Sequence, residues 1–256
     1  MRSQSPSMLS NPREPVTAAD RSGASVIKEF NSARMPVLVG IWASTMTLFA
    51  YAPVAASIAR AVREDRRANA VEELLELTMV GVFGTDEQWV RLARAAEPSR
   101  RFGWGKPRDT TTFQQHDPLH STAVYTIVVY SLMRVQELFY RRLNEREREA
   151  YYGDAAEGIG RVLAPRGRVP QTFDELRFHY NSIIERHLTV DRRFIELYEQ
   201  ARVQLLTGTP IRDLTAPAVR ALPPSILDVL RLTDVSRDPH SDIRDLRDLL
   251  PISEAR

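Results

Sequence analysis

The sequence predicts an all-α, single-domain globular helical bundle. Three observations lead there. Apolar residues recur at helical spacing through most of the chain, and Asn, Thr, Asp, Gly and Pro stand where those runs begin or end. No alternating apolar pattern is long enough to define a strand, and no internal repeat is present. The 256 residues are 43% hydrophobic and 27% charged, an ordinary globular composition able to bury one substantial core.

The elements follow in order. Residues 1–24 are rich in Ser, Pro, Arg and Asn and predict a loose N-terminal arm. The helical domain is expected over 25–235, with helical character starting near Ser25. The run from Val37 to Glu64 is apolar nearly all round, which marks a central helix pair. Met35 to Ala59 carries no charged side chain and is bracketed by Arg34 and Arg60, long enough for a bilayer. It also contains Gly40, Ser44, Thr45, Thr47 and Pro53. The proline predicts two buried helices or one kinked helix, not a membrane span.

Val71, Leu74, Leu75 and Thr78 then share one helical face, with Glu72, Glu73 and Glu76 turned elsewhere. Gly84 is expected to end that helix and Asp86 to cap the next. From Pro98 to Pro118 the pattern dissolves into a long loop of the kind that carries function. A second strongly apolar helix runs from Ser121, with both faces buried until about Gln136. Asn144 is read as the cap of one helix through Ala164. Thr172 with Glu175 forms a capping-box pattern. Thr189 and Asp191 open a helix through Leu206, closed by Gly208 and Pro210, and a shorter helix is expected after Pro217. Residues 236–256 are charge-rich and read as a polar C-terminal tail.

Composition excludes several functions. With no cysteine there is no disulfide, thiolate nucleophile or thiolate ligand, which fits a reducing compartment. The net charge of +2 carries no basic block, so nucleic acid is not an expected partner. The first fifteen residues do not read as a secretory signal, and a cytoplasmic location is expected. A homodimer is compatible with the sequence.

No dinucleotide, P-loop, zincin or nucleophile-elbow motif is present. Five histidines occur: His116, His120, His179, His187 and His240. His116, Asp117 and His120 crowd the end of the long loop. Two imidazoles four residues apart suit a metal or acid–base role only if both lie on one helix; a helix starting after Pro118 leaves His116 outside, and no metal is expected. His179 and His187 read as one core and one surface residue, and His240 as incidental. The hydroxyls of Thr47, Tyr51, Thr78, Tyr125 and Tyr130 lie within apolar helices, where a buried hydroxyl needs a partner and several together can line a pocket.

The order of five segments resembles the rubber-oxygenase (latex-clearing protein) family, which includes the membrane-bound oxygenase of the mycophenolic acid pathway. They are LFAYAPVAASIA, ELLELTMVGVFGT, HDPLHSTAVYTIVVYS, LNEREREAYYGDAAEGIGRVL with VPQTFDELRFHY, and APAVRALPPSILDVLRL. The resemblance spans about residues 36–232. It implies an all-α fold and, in that family, a b-type haem that activates dioxygen on hydrophobic alkenes or prenyl chains. The chain departs from the pattern where haem would be held. Tyr51 stands where a histidine is expected; Ala123 and Tyr125 replace a tryptophan and a histidine. No histidine occurs between Arg91 and Gly105, and Glu73 or Leu74 replaces an arginine while Thr78 remains. Candidate axial donors are then His116, His120, or a tyrosinate from Tyr51 or Tyr125.

The reading that follows is an enzyme acting on a hydrophobic small molecule, terpenoid, polyketide or lipid-like, in an apolar pocket derived from the haem-oxygenase fold. Its chemistry would be haem-independent isomerisation, dehydration or cyclisation, with Tyr125, His116, Tyr51, His120 and Asp117 as acid–base residues. Thr47, Thr78, Tyr130 and Trp104 would line the pocket. The alternatives are a haem-dependent oxygenase with an unusual axial ligand, and a non-catalytic protein that binds an apolar ligand.

Overall fold

The computed structural model describes residues 25–32, 34–64, 70–95, 118–139, 141–164, 168–206, 208–222 and 226–228. The expected arm over 1–24, the long loop except Pro118, and the tail over 236–256 lie outside these residues. Among those described, the fold is helical apart from one two-residue hairpin. The elements are α1 (Val26–Phe30), α2 (Arg34–Ala50), α3 (Ala52–Glu64), α4 (Ala70–Phe83), α5 (Asp86–Ala95) and α6 (Pro118–Phe139). There follow α7 (Glu145–Glu157), α8 (Ile159–Leu163), α9 (Phe173–His187), α10 (Arg192–Arg202), β1 (Leu205–Leu206), β2 (Thr209–Pro210) and α11 (Ile211–Ala221).

α2 is the axis of the molecule. Every residue from Pro36 to Ala50 is buried, so it is wrapped on all sides, chiefly by α6 and α11 and also by α3, α4 and α10. Gly40 lets α6 come close: a Cβ there would stand 3.2 Å from the Leu132 Cα. The hydroxyls that spoil the apolar run are satisfied within α2 itself. Ser44, Thr45 and Thr47 donate to the carbonyls of Gly40, Ile41 and Ala43. Trp42 donates to the Thr215 hydroxyl of α11 at 3.0 Å and stacks on Tyr198 of α10. Among the described residues, no helix is long and apolar enough to cross a membrane.

The central run does break, but at Tyr51 and not at Pro53. The Tyr51 N–H is shared between the Thr47 and Leu48 carbonyls, which tightens the last turn of α2. Pro53 sits in the first turn of α3, where a missing N–H costs nothing.

A second close crossing joins α4 to α7 and α8. A Cβ on Gly158 would meet the Gly81 carbonyl oxygen at 1.8 Å, and one on Gly81 would meet the Ile159 Cα at 2.8 Å. The helix expected from Asn144 through Ala164 is therefore divided at Gly158. Asn144 does cap α7, in a reciprocal capping box with Glu147. Asp86 does not cap α5. Thr85 does, its hydroxyl accepting from the Gln88 N–H while Gln88 Oε1 accepts from the Thr85 N–H. Thr172 accepts from the Glu175 N–H as expected, but the Glu175 carboxylate turns to the Gln171 N–H.

Asp191 caps α10. That helix stops at Arg202, not Leu206, because Leu205 and Leu206 pair with Pro210 and Thr209 across Gly208, whose φ of +86° suits a residue without a side chain. Residues 226–228 are helical, as expected beyond Pro217, but Pro217 itself lies inside α11. One lost backbone bond is outweighed there by burial of Ile211, Leu214, Ala218 and Val219. α1 is tied on by a buried amide network. Asn31 Nδ2 donates to the Ile27 carbonyl and the Tyr151 hydroxyl, and Gln136 Nε2 donates to Asn31 Oδ1 at 3.2 Å.

Candidate active site

The α2–α3 break leaves Tyr51 outside both helices, and its backbone is captured by the far end of α9. Tyr51 forms an isolated antiparallel bridge with Leu188, and the Thr189 N–H donates to the Ala50 carbonyl at 2.8 Å. This bridge brings together three rings distant in sequence. The Tyr51 phenol makes edge contacts with His120, at a centroid distance of 6.1 Å, and with His187, at 6.2 Å. His120 is the third residue of α6, and His187 is the last of α9. Tyr51 is 6% exposed, His120 is half-buried and His187 is exposed. The cluster thus runs from the core to the solvent. A phenol with two imidazoles can give, take and relay protons.

Of the residues singled out in the sequence, Tyr51 and His120 meet here. Thr47 lies one turn earlier on α2, with its hydroxyl committed to Ala43. Thr78 is fully buried on α4, and its hydroxyl has no hydrogen-bond partner among the described residues. Tyr130 does not join the cluster: it stacks on Tyr180 at 3.8 Å and on Phe173 at 6.4 Å. His116, Asp117 and Trp104 lie outside the described residues, as does His240.

Tyr125 stands apart. Five residues beyond His120, it lies about 140° round α6 and about 7.5 Å along it. Its ring packs beside Gly160 of α8, whose added Cβ would lie 3.5 Å from Tyr125 Cε2. Its hydroxyl neighbours that of Tyr152 without reaching hydrogen-bond geometry, since Tyr152 donates to the Pro170 carbonyl at 2.6 Å. Burial drives the Tyr125 phenol far above its ordinary value, and Tyr152 pushes it further; burial lifts Tyr152 itself to about 12. Tyr125 is therefore a neutral phenol near pH 7.

His187 joins this cluster although it is not among the candidate site residues of the sequence: no local signal marks it, because its approach to Tyr51 depends on a pairing between residues far apart in the chain. Among the described residues, no group of three His, Asp or Glu side chains is arranged to hold a metal ion.

A protein-family model described as ER-bound oxygenase mpaB/B'/Rubber oxygenase, catalytic domain, matches residues 28–252. The chain belongs to this family. The match extends beyond the segments that carried the resemblance, taking in most of α1 and most of the polar stretch over 236–256. Comparison with curated proteins and with solved structures finds no match.

Membership raises the question of haem, which needs an axial donor. Tyr51 and Tyr125 stand where the resemblance expects histidine, and no histidine occurs between Arg91 and Gly105. Burial and the neighbouring Tyr152 hydroxyl hold the Tyr125 phenol neutral. Tyr51 is held at the α2–α3 break by backbone pairing and ringed by two imidazoles. At those two positions the described residues present phenols and no imidazole.

Proposed function

We propose that this family member acts on a hydrophobic small molecule, terpenoid, polyketide or lipid-like, by acid–base chemistry that does not use haem. The single observation behind this reading is the ring contact between the buried Tyr51 phenol and His120, at the position where the family resemblance expects histidine. Tyr51 acts as general acid toward an alkene, carbonyl or alcohol oxygen. His120 orients the phenol and accepts a proton from a second atom of the substrate. The apolar residues around them exclude water and hold the reacting atoms in place. Isomerisation, dehydration and cyclisation all fit these roles. A cytoplasmic location and a homodimer belong to the same proposal.

The test uses a prenyl alcohol of farnesol length as probe, with binding followed by tryptophan fluorescence and conversion by mass spectrometry. Tyr51→Phe should keep probe affinity within about threefold and lose conversion by about a hundredfold or more, the usual scale of general acid catalysis. Binding without conversion in the parent chain would favour a ligand-binding protein. Unchanged conversion in Tyr51→Phe would remove the phenol from the mechanism.

A further inference from the structure

From the same cluster we infer that His187 is the solvent-side proton exchanger of Tyr51. This rests on the reading that Tyr51 is the general acid. Tyr51 is 6% exposed, so a phenol that gave up its proton there would have little direct access to water to recover it. His187 touches the Tyr51 ring on one side and is exposed on the other. Its position is not left to a flexible loop. It is the last residue of α9, and the next two residues are pinned to the α2–α3 junction by the Tyr51–Leu188 bridge and the Thr189–Ala50 hydrogen bond.

The step balances as a proton cycle in which His120, half-buried, releases to solvent the proton it took from the substrate. The Tyr51 O–H bond breaks as its proton passes to substrate, leaving phenolate. The protonated imidazole of His187 returns a proton to that oxygen and becomes neutral. Neutral His187 then takes a proton from water or buffer, for which its exposed side is available. Histidine suits the task because its ordinary pKa lies near neutrality. Among the described residues, the titratable groups nearest it in contact or in sequence are Tyr51 from the α2–α3 junction, His120 on the same Tyr51 ring, and Glu185 and Arg186 on its own helix. Asp191 at the head of α10 is committed to the Phe194 N–H.

The test reads the protein without ligand, so its failure is separate from failure of the substrate proposal. The imidazole Cε1–Hε1 signals of the full chain are titrated by NMR in the parent and in Tyr51→Phe, which keeps the ring and removes only the hydroxyl. The expected result is a change of at least about 0.5 in the His187 midpoint pH, about threefold in proton affinity. His179, two turns earlier on α9, serves as the internal control and should not move. In the reciprocal arm, His187→Gln should shift the Tyr51 Cζ resonance in chains carrying 13C-labelled tyrosine. A His187 midpoint identical in parent and Tyr51→Phe would overturn the inference, as would an unmoved Tyr51 Cζ signal in His187→Gln. If Tyr51→Phe fails to fold, the reciprocal arm alone decides.

Discussion

The crossing of α4 over the α7–α8 junction can be tested by adding one methyl group. In Gly158→Ala the new Cβ would lie 1.8 Å from the Gly81 carbonyl oxygen and 3.3 Å from Trp89 Cζ2. The first contact is with backbone, so no side chain can swing aside. Restoring an ordinary separation requires the two segments to part by about 1.5 Å, and a gap of about 0.5–1 Å already forfeits a quarter to a half of the dispersion energy at such an interface. Overpacking costs about 1–3 kcal/mol and occasionally more. With a backbone clash this deep we expect about 3 kcal/mol or above, equivalent to about 6–12 °C in Tm for a chain of this size. Gly153→Ala supplies the control. It lies in α7, the helix that Gly158 terminates, has nothing within 4 Å of its added Cβ, and should gain about 0.5–1 kcal/mol. The assay is paired thermal and urea unfolding of the two variants. If Gly158→Ala unfolds with the parent midpoint, α4 and α8 do not cross as described.

Other outcomes follow from the same contacts. Asn31→Ala should lose about 2–3 kcal/mol in urea unfolding, because it strips partners from the buried Tyr151 hydroxyl and Gln136 amide; a loss below about 0.5 kcal/mol would show that the network does not hold α1. Tyr125→Phe should be neutral or stabilising by up to about 1 kcal/mol, since its hydroxyl lacks a well-formed hydrogen bond, and a clear destabilisation would count against that geometry. The Arg141 guanidinium and the Asn144 N–H hold the Glu147 carboxyl at about 2, below its usual 4.5. A depressed carboxyl contributes stability that is complete above its unfolded value and is lost as pH falls from about 4.5 through about 2. Protection of the α7 N-terminus in hydrogen exchange should therefore fall over that window, and Glu147→Gln should abolish this part of the acid dependence.

Much of the fold was legible because it is local. Helical periodicity predicted α2, α4 and α6, and the caps at Asn144, Thr172 and Asp191 announced themselves by residue type and spacing. The errors have local causes of another kind. Pro53 looked like the break because proline is the strongest helix breaker, yet it is harmless in a first turn, and the break fell two residues earlier. Gly158 interrupts a continuous helical pattern because α4 must pass close to it, a demand invisible without the partner helix. The site was half legible. Tyr51 and His120 stood out as polar residues beside apolar helices, but Tyr125, equally conspicuous, faces a different helix. His187 could be found only after Leu188 paired with Tyr51, a contact joining residues 137 apart in sequence.

We propose that this member of an oxygenase family works through its own side chains at Tyr51 and not through haem. The most direct measurement is the visible absorbance of the full chain purified from haem-supplemented culture, with iron quantified per chain. The expected result is a folded, colourless protein with no Soret band and negligible iron. A Soret band with near-stoichiometric iron would contradict it and make His120, His116 and Tyr51 the axial donors to examine.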